Sequence, residues 1–569
     1  MTEELSQAGG TSNQDEVVFL ALGGLGEIGM NVYMYGLGPA DDRTWLMVDL
    51  GLTFPDETEP GVDVILPDLT FAQTERKSLA GILITHAHED HIGAVLEMWP
   101  KLQVPLYATP FTVGMLKAKL AEFGSRKAPD VREVPIGHRF TIGAFDVELI
   151  SMSHSIPETS AVAIRTPHGV VLHSADWKLD PDPYVGTQTD TAKLAALGKE
   201  GVTAFICDST NAFRDGRSPS EASVAASLSD IIKDAPRRVA VTTFSSNVAR
   251  IRAIADAARA SGRRLVVAGR ALQRVIGVAI DVGYLPPDFD YLDQDMAKTV
   301  PAGEVLMLVT GSQGELRAAL ARIADNEHPE ISFDPGDTVI YSSRTIPGNE
   351  KSVLRVQNKL ADRGVKVITD ADNLVHVTGH PRRDELAEVY GLLKPKAVIP
   401  MHGEARHLME NARLAAAAGA KTLDTVRNGQ MVRLAPGPLE IVDEVPIGRM
   451  YRDGRLIIPE GEGSVRERRK LSAVGIVFVA VSIDRAGNVV AEPDATLDGV
   501  PYETADGTSM DELVLDAIDG VLDNVPQRRR RDPDALADTV KRTVRGVVDQ
   551  AWGKRPIVKV LVNVVERGR

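Results

Sequence analysis

Cysteine is nearly absent from the sequence: Cys207 stands alone among 569 residues. No intrachain disulfide can form, and any bound metal has to be held by histidine and carboxylate rather than by a cage of thiolates. Long apolar runs are missing too. The longest, such as Leu471 to Val481, are strand-length and fall short of the roughly 20 residues that cross a bilayer, so no membrane role is expected. Met1 to Glu16 is polar and acidic, with neither the basic segment nor the apolar stretch of a secretory leader. It is expected to form a flexible tail (1–16), and the protein is expected in the cytoplasm. No internal repeat or extended low-complexity segment is present. The formal net charge of −15 argues against a protein that coats nucleic acid by bulk electrostatics, although a site's field depends more on nearby charges than on the total.

What is there is an ordinary globular composition, 43% hydrophobic and 25% charged, in a chain long enough for at least two domains. Short apolar strands dominate the first part: Val17 to Leu22, Asn31 to Leu37, Thr44 to Asp49, Ala80 to Thr85, Phe145 to Ser151, Ala161 to Arg165, Val170 to His173 and Ala204 to Cys207. Their polar residues gather at strand ends. From about Ser218 helical stretches alternate with buried strands at Val239 to Thr243, Arg264 to Ala268, Val305 to Thr310 and Thr338 to Ser342, a pattern of parallel βαβ units. Strand-and-loop character returns near Asn373. An α/β chain in which one domain (17–217 and 371–444) is interrupted by another (218–370) accounts for this order. A linker (445–470) then leads to a small α/β domain (471–569) with a strand over Leu471 to Ile483, helices near Met510 to Leu522 and Pro533 to Gln550, and a last strand over Ile557 to Val565.

Gly24, Gly26 and Gly29 match G-x-G-x-x-G after a strand, with Asp49 at nearly the distance of a ribose-binding acid. A dinucleotide site needs that motif to open a helix. Here Val32 to Tyr35 is β-like and runs into Gly36, Gly38 and Pro39, so the glycines are read as a tight loop between strands.

The strongest signal is Thr85-His86-Ala87-His88-Glu89-Asp90-His91 directly after an apolar strand. Three histidines and two acids in six positions are too polar for a core. Imidazole and carboxylate suit zinc, and a catalytic zinc site draws ligands from separate segments. The alternative is a solvated His-rich loop. Against it stand His154, Asp176 and His402, each at a strand end and of ligand type, which together with the cluster complete two adjacent sites.

These residues resemble the signature of the metallo-β-lactamase superfamily, H-x-H-x-D-H followed by a distant His, Asp and His. The resemblance implies an αββα sandwich in which His86, His88 and His154 hold one zinc, Asp90, His91 and His402 the other, Asp176 bridges them, and Asp49 orients a ligand histidine. Asp208 in Cys-Asp-Ser-Thr, His380 in His376-Val377-Thr378-Gly379-His380, and the His402 segment resemble the three motifs of the β-CASP nucleases, whose α/β domain is inserted in the sandwich. Gly26 to Gly29, Thr310 to Glu315 and Ile346 to Glu350 make the chain most similar, within that group, to the ribonuclease J family. The sequence departs from the family pattern at Gly26, where Asn is common, in His-Ala-His, and in Ser174-Ala175-Asp176-Trp177; none of these removes a ligand.

The resemblance implies a ribonuclease that hydrolyses single-stranded RNA with two Zn2+ per subunit, Mn2+ or Mg2+ serving as activating ions. It implies 5'-to-3' exonuclease activity favouring 5'-monophosphate ends together with internal cleavage, in rRNA processing and mRNA turnover. Asp176, Asp208 and His380 would be catalytic, with His380, steered by Asp208, protonating the leaving 3'-oxygen. Gly311, Ser312 and Gly314, with His376, Thr378, Gly379 and His380, would bind phosphate and RNA; a plain turn is the alternative for Thr310 to Glu315. A homodimer or homotetramer through the C-terminal domain and an RNA-decay assembly are the implied partners, and Arg528 to Arg531 is read as a solvated loop, with a contact to RNA or another subunit as the alternative. The competing functions are a small-molecule hydrolase of lactamase type, a DNA-directed β-CASP nuclease and a non-enzymatic scaffold.

Overall fold

The computed structural model describes residues 15–124, 128–423 and 425–566; all but the last two positions of the expected tail over 1–16 lie outside them. The described residues form two compact units, one within 15–54 and 64–450 and the other within 55–63 and 451–566.

The first unit is built on two stacked sheets. One has eight strands in the order Glu440–Glu444, Gln430–Ala435, Glu16–Gly23, Val32–Gly38, Thr44–Val48, Leu79–Leu83, Leu106–Ala108 and Val131–Glu133. The other has six, Ala397–Met401, Val202–Asp208, Gly169–His173, Ser160–Thr166, Phe145–Ser151 and Arg139–Ile142. Phe19, Tyr35, Leu46, Val162, Ile164, Ile206 and Ile399 fill the space between them. The alternate residues of the six-stranded sheet, among them Ala161, Ala163, Phe205 and Val398, pack outward against Leu194, Leu386, Val389 and Ala415 of the helices Thr191–Glu200, Arg383–Leu393 and Ala405–Ala417. Successive side chains of a strand point to opposite faces, and with both faces covered the strand reads as an unbroken apolar run. That is why these segments were visible in the sequence.

The inserted segment forms a third sheet in the order Leu292–Asp293, Arg264–Ala268, Val305–Val309, Val239–Thr242, Thr338–Tyr341 and Lys366–Ile368, with every neighbouring pair parallel. Helices Glu221–Asp234, Val248–Ala260, Arg270–Asp281 and Glu350–Asp362 supply most of the crossovers. The chain leaves the sandwich after Val202–Asp208 and returns on Ala397–Met401, which lies parallel beside it with Asp208 opposite Met401.

A buried charge cluster fastens the insertion to the sandwich. Lys178 Nζ lies 2.7 Å from Asp180 Oδ2 and 4.0 Å from Glu221 Oε1. Asp180 also accepts from the Glu221 backbone N–H that opens the first inserted helix. Arg250, fully buried, pairs with Glu221 at 2.9 Å and donates to the Ser342 carbonyl (3.0 Å) and the Val375 carbonyl (2.8 Å). Val375 is the residue before His376, so this guanidinium ties the inserted sheet to the returning segment.

In the second unit, strands Val489–Asp498, Ile476–Asp484 and Ile557–Val565 lie side by side, and the helices Met510–Asn524 and Pro533–Trp552 bury Val514, Ile518, Val540 and Val544 against them. The expected linker over 445–470 is corrected: it carries strands Arg449–Asp453 and Leu456–Pro459 and most of the helix Gly463–Val474. The strand expected from Leu471 begins at Ile476, because the apolar run Leu471 to Val481 straddles a helix end at Gly475, whose φ of 63° suits glycine. No helix among the described residues is long and apolar enough to cross a membrane.

Removing one partner of a buried ion pair leaves an uncompensated charge, typically at a cost of about 3–5 kcal/mol. Arg250→Ala is therefore expected to lower the urea midpoint of the first unit substantially, whereas Arg264→Ala, whose side chain is 55% exposed, leaves it unchanged within error.

Candidate metal centre

Six segments deliver these titratable residues to one rim of the sandwich. Asp49 follows the strand Thr44–Val48; Thr85 to His91 follow Leu79–Leu83; Asp176 follows Gly169–His173; Asp208 ends Val202–Asp208; His402 follows Ala397–Met401. His154 comes from the loop after Phe145–Ser151, the one contributor from an antiparallel strand connection.

The ring nitrogens converge instead of pairing. His86 Nε2 and His154 Nε2 each lie 3.1 Å from His88 Nδ1, and 3.8 and 3.6 Å from Asp176 Oδ2. The same Asp176 oxygen is 3.4 Å from both His91 Nε2 and His402 Nε2, and these lie 3.5 and 3.7 Å from Asp90 Oδ2. The atoms fall into two sets, His86, His88, His154 with Asp176, and Asp90, His91, His402 with Asp176, each within 4.8 Å. Four donors placed tetrahedrally at about 2.0 Å from an ion would sit about 3.3 Å apart, close to the separations found. Burial holds His86 and His154 well below the usual imidazole range and His88 down to about 4, so these rings are neutral, as ligation requires. Asp176 is 2% exposed, and its second oxygen is buried without a hydrogen-bond partner. Burial raises this carboxyl, yet His402, His91 and His380 outweigh it and hold Asp176 ionised. The clustered His and Asp side chains are compatible with a dinuclear metal site.

The outer nitrogens of these rings are spoken for. Asp49, fully buried and pushed up by that burial, accepts from His91 Nδ1 at 2.7 Å and from the Thr85 backbone at 2.7 Å. His154 Nδ1 donates to the Gly379 carbonyl at 2.7 Å. A Cβ at Gly379 would lie 2.4 Å from the His154 ring, so only glycine permits this approach. His402 Nδ1 donates to Asn31 Oδ1 at 3.0 Å, and Asn31 Nδ2 reaches Asp90 Oδ2 at 3.2 Å. Sequence reasoning treated Asn31 only as the start of a strand; its signal was a lone amide, fully buried, at the head of an apolar run. The Gly24–Gly29 loop also serves this centre. It carries no helix; Gly24 accepts from the His402 backbone at 2.9 Å, and Leu25–Gly26 pairs with Gly403–Glu404.

His380 sits against the same carboxylate, its Nδ1 2.7 Å from Asp208 Oδ2 and 4.0 Å from Asp176 Oδ2. Burial works against its charged form, but Asp208 and Asp176 outweigh burial and push it up to about 9. Asp208 keeps its other oxygen on the Thr210 backbone and hydroxyl at 2.9 and 2.8 Å. Cys207 beside it is a buried thiol pushed up to about 12, first by burial.

The expected phosphate-binding residues divide. Gly311 and Ser312 line a cleft of about 950 Å³ at the carboxyl ends of the inserted strands, together with Thr243 and Phe244, the usual place for ligands on a parallel sheet. Phe244 lies 6.4 Å from the His376 ring, whose Nδ1 is buried without a partner. Thr378 Oγ1 accepts from Asn211 Nδ2 (2.7 Å) and the His380 backbone (3.2 Å). Gly314 does not line the cleft: a Cβ there would meet the Ser352 backbone at 2.5 Å, so its glycine serves close packing.

Four family descriptions match the chain: "Beta-lactamase superfamily domain" over residues 57–211, "Ribonuclease J, beta-CASP domain" over 236–360, "Zn-dependent metallo-hydrolase RNA specificity domain" over 364–424 and "Ribonuclease J C-terminal domain" over 463–565. The chain is 47% identical to "Ribonuclease J" of Sinorhizobium meliloti over 554 residues, 97% of this chain and 98% of that one. It is 38% identical to the protein of that name from Mycolicibacterium smegmatis over 549 residues (95% of each chain), and 35% identical to that from Thermus thermophilus over 571 residues (98% and 97%). A solved structure of a protein of unknown function from Enterococcus faecalis shares the fold, with a TM-score of 0.52 and 16% identity over 74% of this chain and all of that one. The chain therefore belongs to the ribonuclease J family, metal-dependent nucleases whose lactamase-type sandwich carries a β-CASP insertion.

Proposed function

We propose that the chain hydrolyses phosphodiester bonds of single-stranded RNA at a dinuclear zinc centre, trimming 5'-monophosphate ends in the 5'-to-3' direction and also cutting internally. The observation that carries this reading is the single Asp176 oxygen shared by four imidazole nitrogens at 3.4 to 3.8 Å, with the His380–Asp208 pair 4.0 Å away. His86, His88 and His154 would hold one ion, Asp90, His91 and His402 the other, and Asp176 both; the all-imidazole and carboxylate donors suit zinc, with Mn2+ or Mg2+ as activating ions. Bound there, two divalent ions lower the pKa of a water and offset charge on the phosphoryl oxygens.

The chain's own residues do the rest. Asp49, Gly379 and Asn31 engage the outer nitrogens of His91, His154 and His402, so that the inner nitrogens face the centre. Asp208 holds the His380 Nδ1 proton and turns Nε2 outward, where it can protonate the leaving 3'-oxygen; cleavage on that side leaves a 5'-phosphate on the product. Ser312 and the Gly311 backbone, beside His376, would receive the terminal phosphate. The segment 218–370 is assigned to the insertion, 17–217 and 371–444 to the sandwich, and 471–569 to a domain that mediates homodimer or homotetramer formation. Cytoplasmic rRNA processing and mRNA turnover, within an RNA-decay assembly, complete the proposal.

One RNA sequence, bearing either a 5'-monophosphate or a 5'-triphosphate, tests the reading. Mononucleotides are expected from the monophosphate form and far more slowly from the triphosphate form; equal rates would remove the phosphate pocket. Asp176→Ala is expected to silence both reactions and to lower the divalent metal content found by elemental analysis.

A proton donor works only while protonated. With its pKa raised to about 9, His380 serves through neutral pH and is lost as the pH climbs further. Asp208→Asn is expected to draw the alkaline limb of the kcat profile to lower pH, and His380→Ala to reduce kcat by about 10²–10⁴-fold. An unmoved limb in Asp208→Asn would assign the proton to another group.

A further inference from the structure

Internal cutting poses a problem that trimming does not: the strand on the 5' side of the pocket phosphate has to go somewhere. The Ser312 cleft does not end at Ser312. Arg270, Gln273 and Thr310 line it and also line a second cleft of about 610 Å³, farther along the carboxyl edge of the inserted sheet. Thr310 forms the shared wall. It is approached by Gly269, where φ is 135° and a Cβ would come within 2.4 Å of the threonine methyl, so the wall and the next helix stand as close as glycine allows.

The lining of the second cleft has the chemistry of a phosphodiester track. Arg270, Arg317 and Arg322 face it, against Asp293 and Asp295. Of the acids, Asp293 is occupied by Gln273 Nε2 at 3.0 Å. Among the described residues, Arg270 and Arg317 have no hydrogen-bond or ion-pair partner, and Arg322 contacts only the Glu327 carbonyl, at 3.2 Å. Arg270 also begins the helix Arg270–Asp281, whose cap residue Gly269 offers no side-chain acceptor, so its first backbone N–H groups are left for an anion. His328 is half-buried on this cleft and accepts from the Glu330 and Ile331 backbones at 3.3 and 3.1 Å. In a protein of net charge −15, three guanidiniums around one cavity attract phosphate locally against the sign of the whole.

We infer that this second cleft holds the RNA backbone lying 5' of the pocket phosphate, and thereby admits substrates for internal cleavage. The inference rests on the ribonuclease reading above. An RNA that merely begins at the pocket does not reach it, so its contribution is confined to strands that continue upstream.

A circular RNA, which has no ends, separates the two. The full-length, metal-loaded protein is compared with the double variant Arg317→Ala/Arg322→Ala, both exposed positions, on the circular RNA and on the same sequence linear with a 5'-monophosphate. Cutting of the circle is expected to fall by roughly tenfold or more while mononucleotide release from the linear form stays within about twofold. Binding to the circle, followed by fluorescence anisotropy in an Asp176→Ala background, is expected to lose salt dependence, with the slope of log K against log salt shrinking by about 1.4 for two lost phosphate contacts on a single strand. An undiminished rate on the circle overturns the inference, and so does an equal fall on both substrates. Wild-type protein that trims the linear RNA but leaves the circle intact also overturns it while leaving the ribonuclease reading standing; failure on both substrates would sink that reading instead.

Discussion

A carboxylate buried among imidazoles is the constraint on which the rest of this structure depends. Asp176 is out of solvent, yet its charge is held by four ring nitrogens arriving from three separate segments. An ionised group in such a place is unfavourable unless positive charge surrounds it. The rings cannot supply that charge evenly. Burial keeps His86, His88 and His154 neutral, while His91 stays charged because Asp176, Asp90 and Asp49 outweigh its burial. Divalent cations at the two sets of donors would resolve the mismatch on both sides, and Asp49, Gly379 and Asn31 already engage the outer nitrogens of His91, His154 and His402.

The two halves of the first unit contribute different things to this centre. The sandwich supplies the clustered His and Asp side chains from the ends of its strands. The returning segment supplies His376, Thr378 and His380, and its position is set from the insertion by Arg250 on the Val375 carbonyl. Lys178, two residues after Asp176, sits in the same charge cluster through Asp180 and Glu221. Asp176 and the segment that carries His376 and His380 are thus fixed by one buried network, which gives the two a common mechanical reference.

Much of this was legible in the sequence, for a definite reason. Strands buried on both faces write themselves as apolar runs, and a polar residue at the end of such a run stands out; His86, Asp176 and His402 were found that way. Asn31 and Gly379 were harder because each acts through a single contact with a partner far along the chain: His402 is 371 positions from Asn31, and His154 is 225 from Gly379. Nothing local distinguishes a carbonyl that will meet an imidazole. Gly314 is ambiguous in the sequence, since a glycine placed for an anion and one placed against a neighbouring backbone look alike until the Ser352 contact is seen. The region before the C-terminal sheet was misread because one apolar run crosses from helix into strand at Gly475.

The pairing of Val202–Asp208 with Ala397–Met401 bears on how such a protein can be remodelled. Because the outgoing and incoming chains are neighbours in one sheet, everything between them is a loop whose closure the host fold already provides. A loop with its ends so fixed tolerates changes in length at little expense, since closure entropy grows only logarithmically. Substrate range can therefore be rewritten by exchanging the inserted sheet, while the strands that present the metal-binding side chains keep their register.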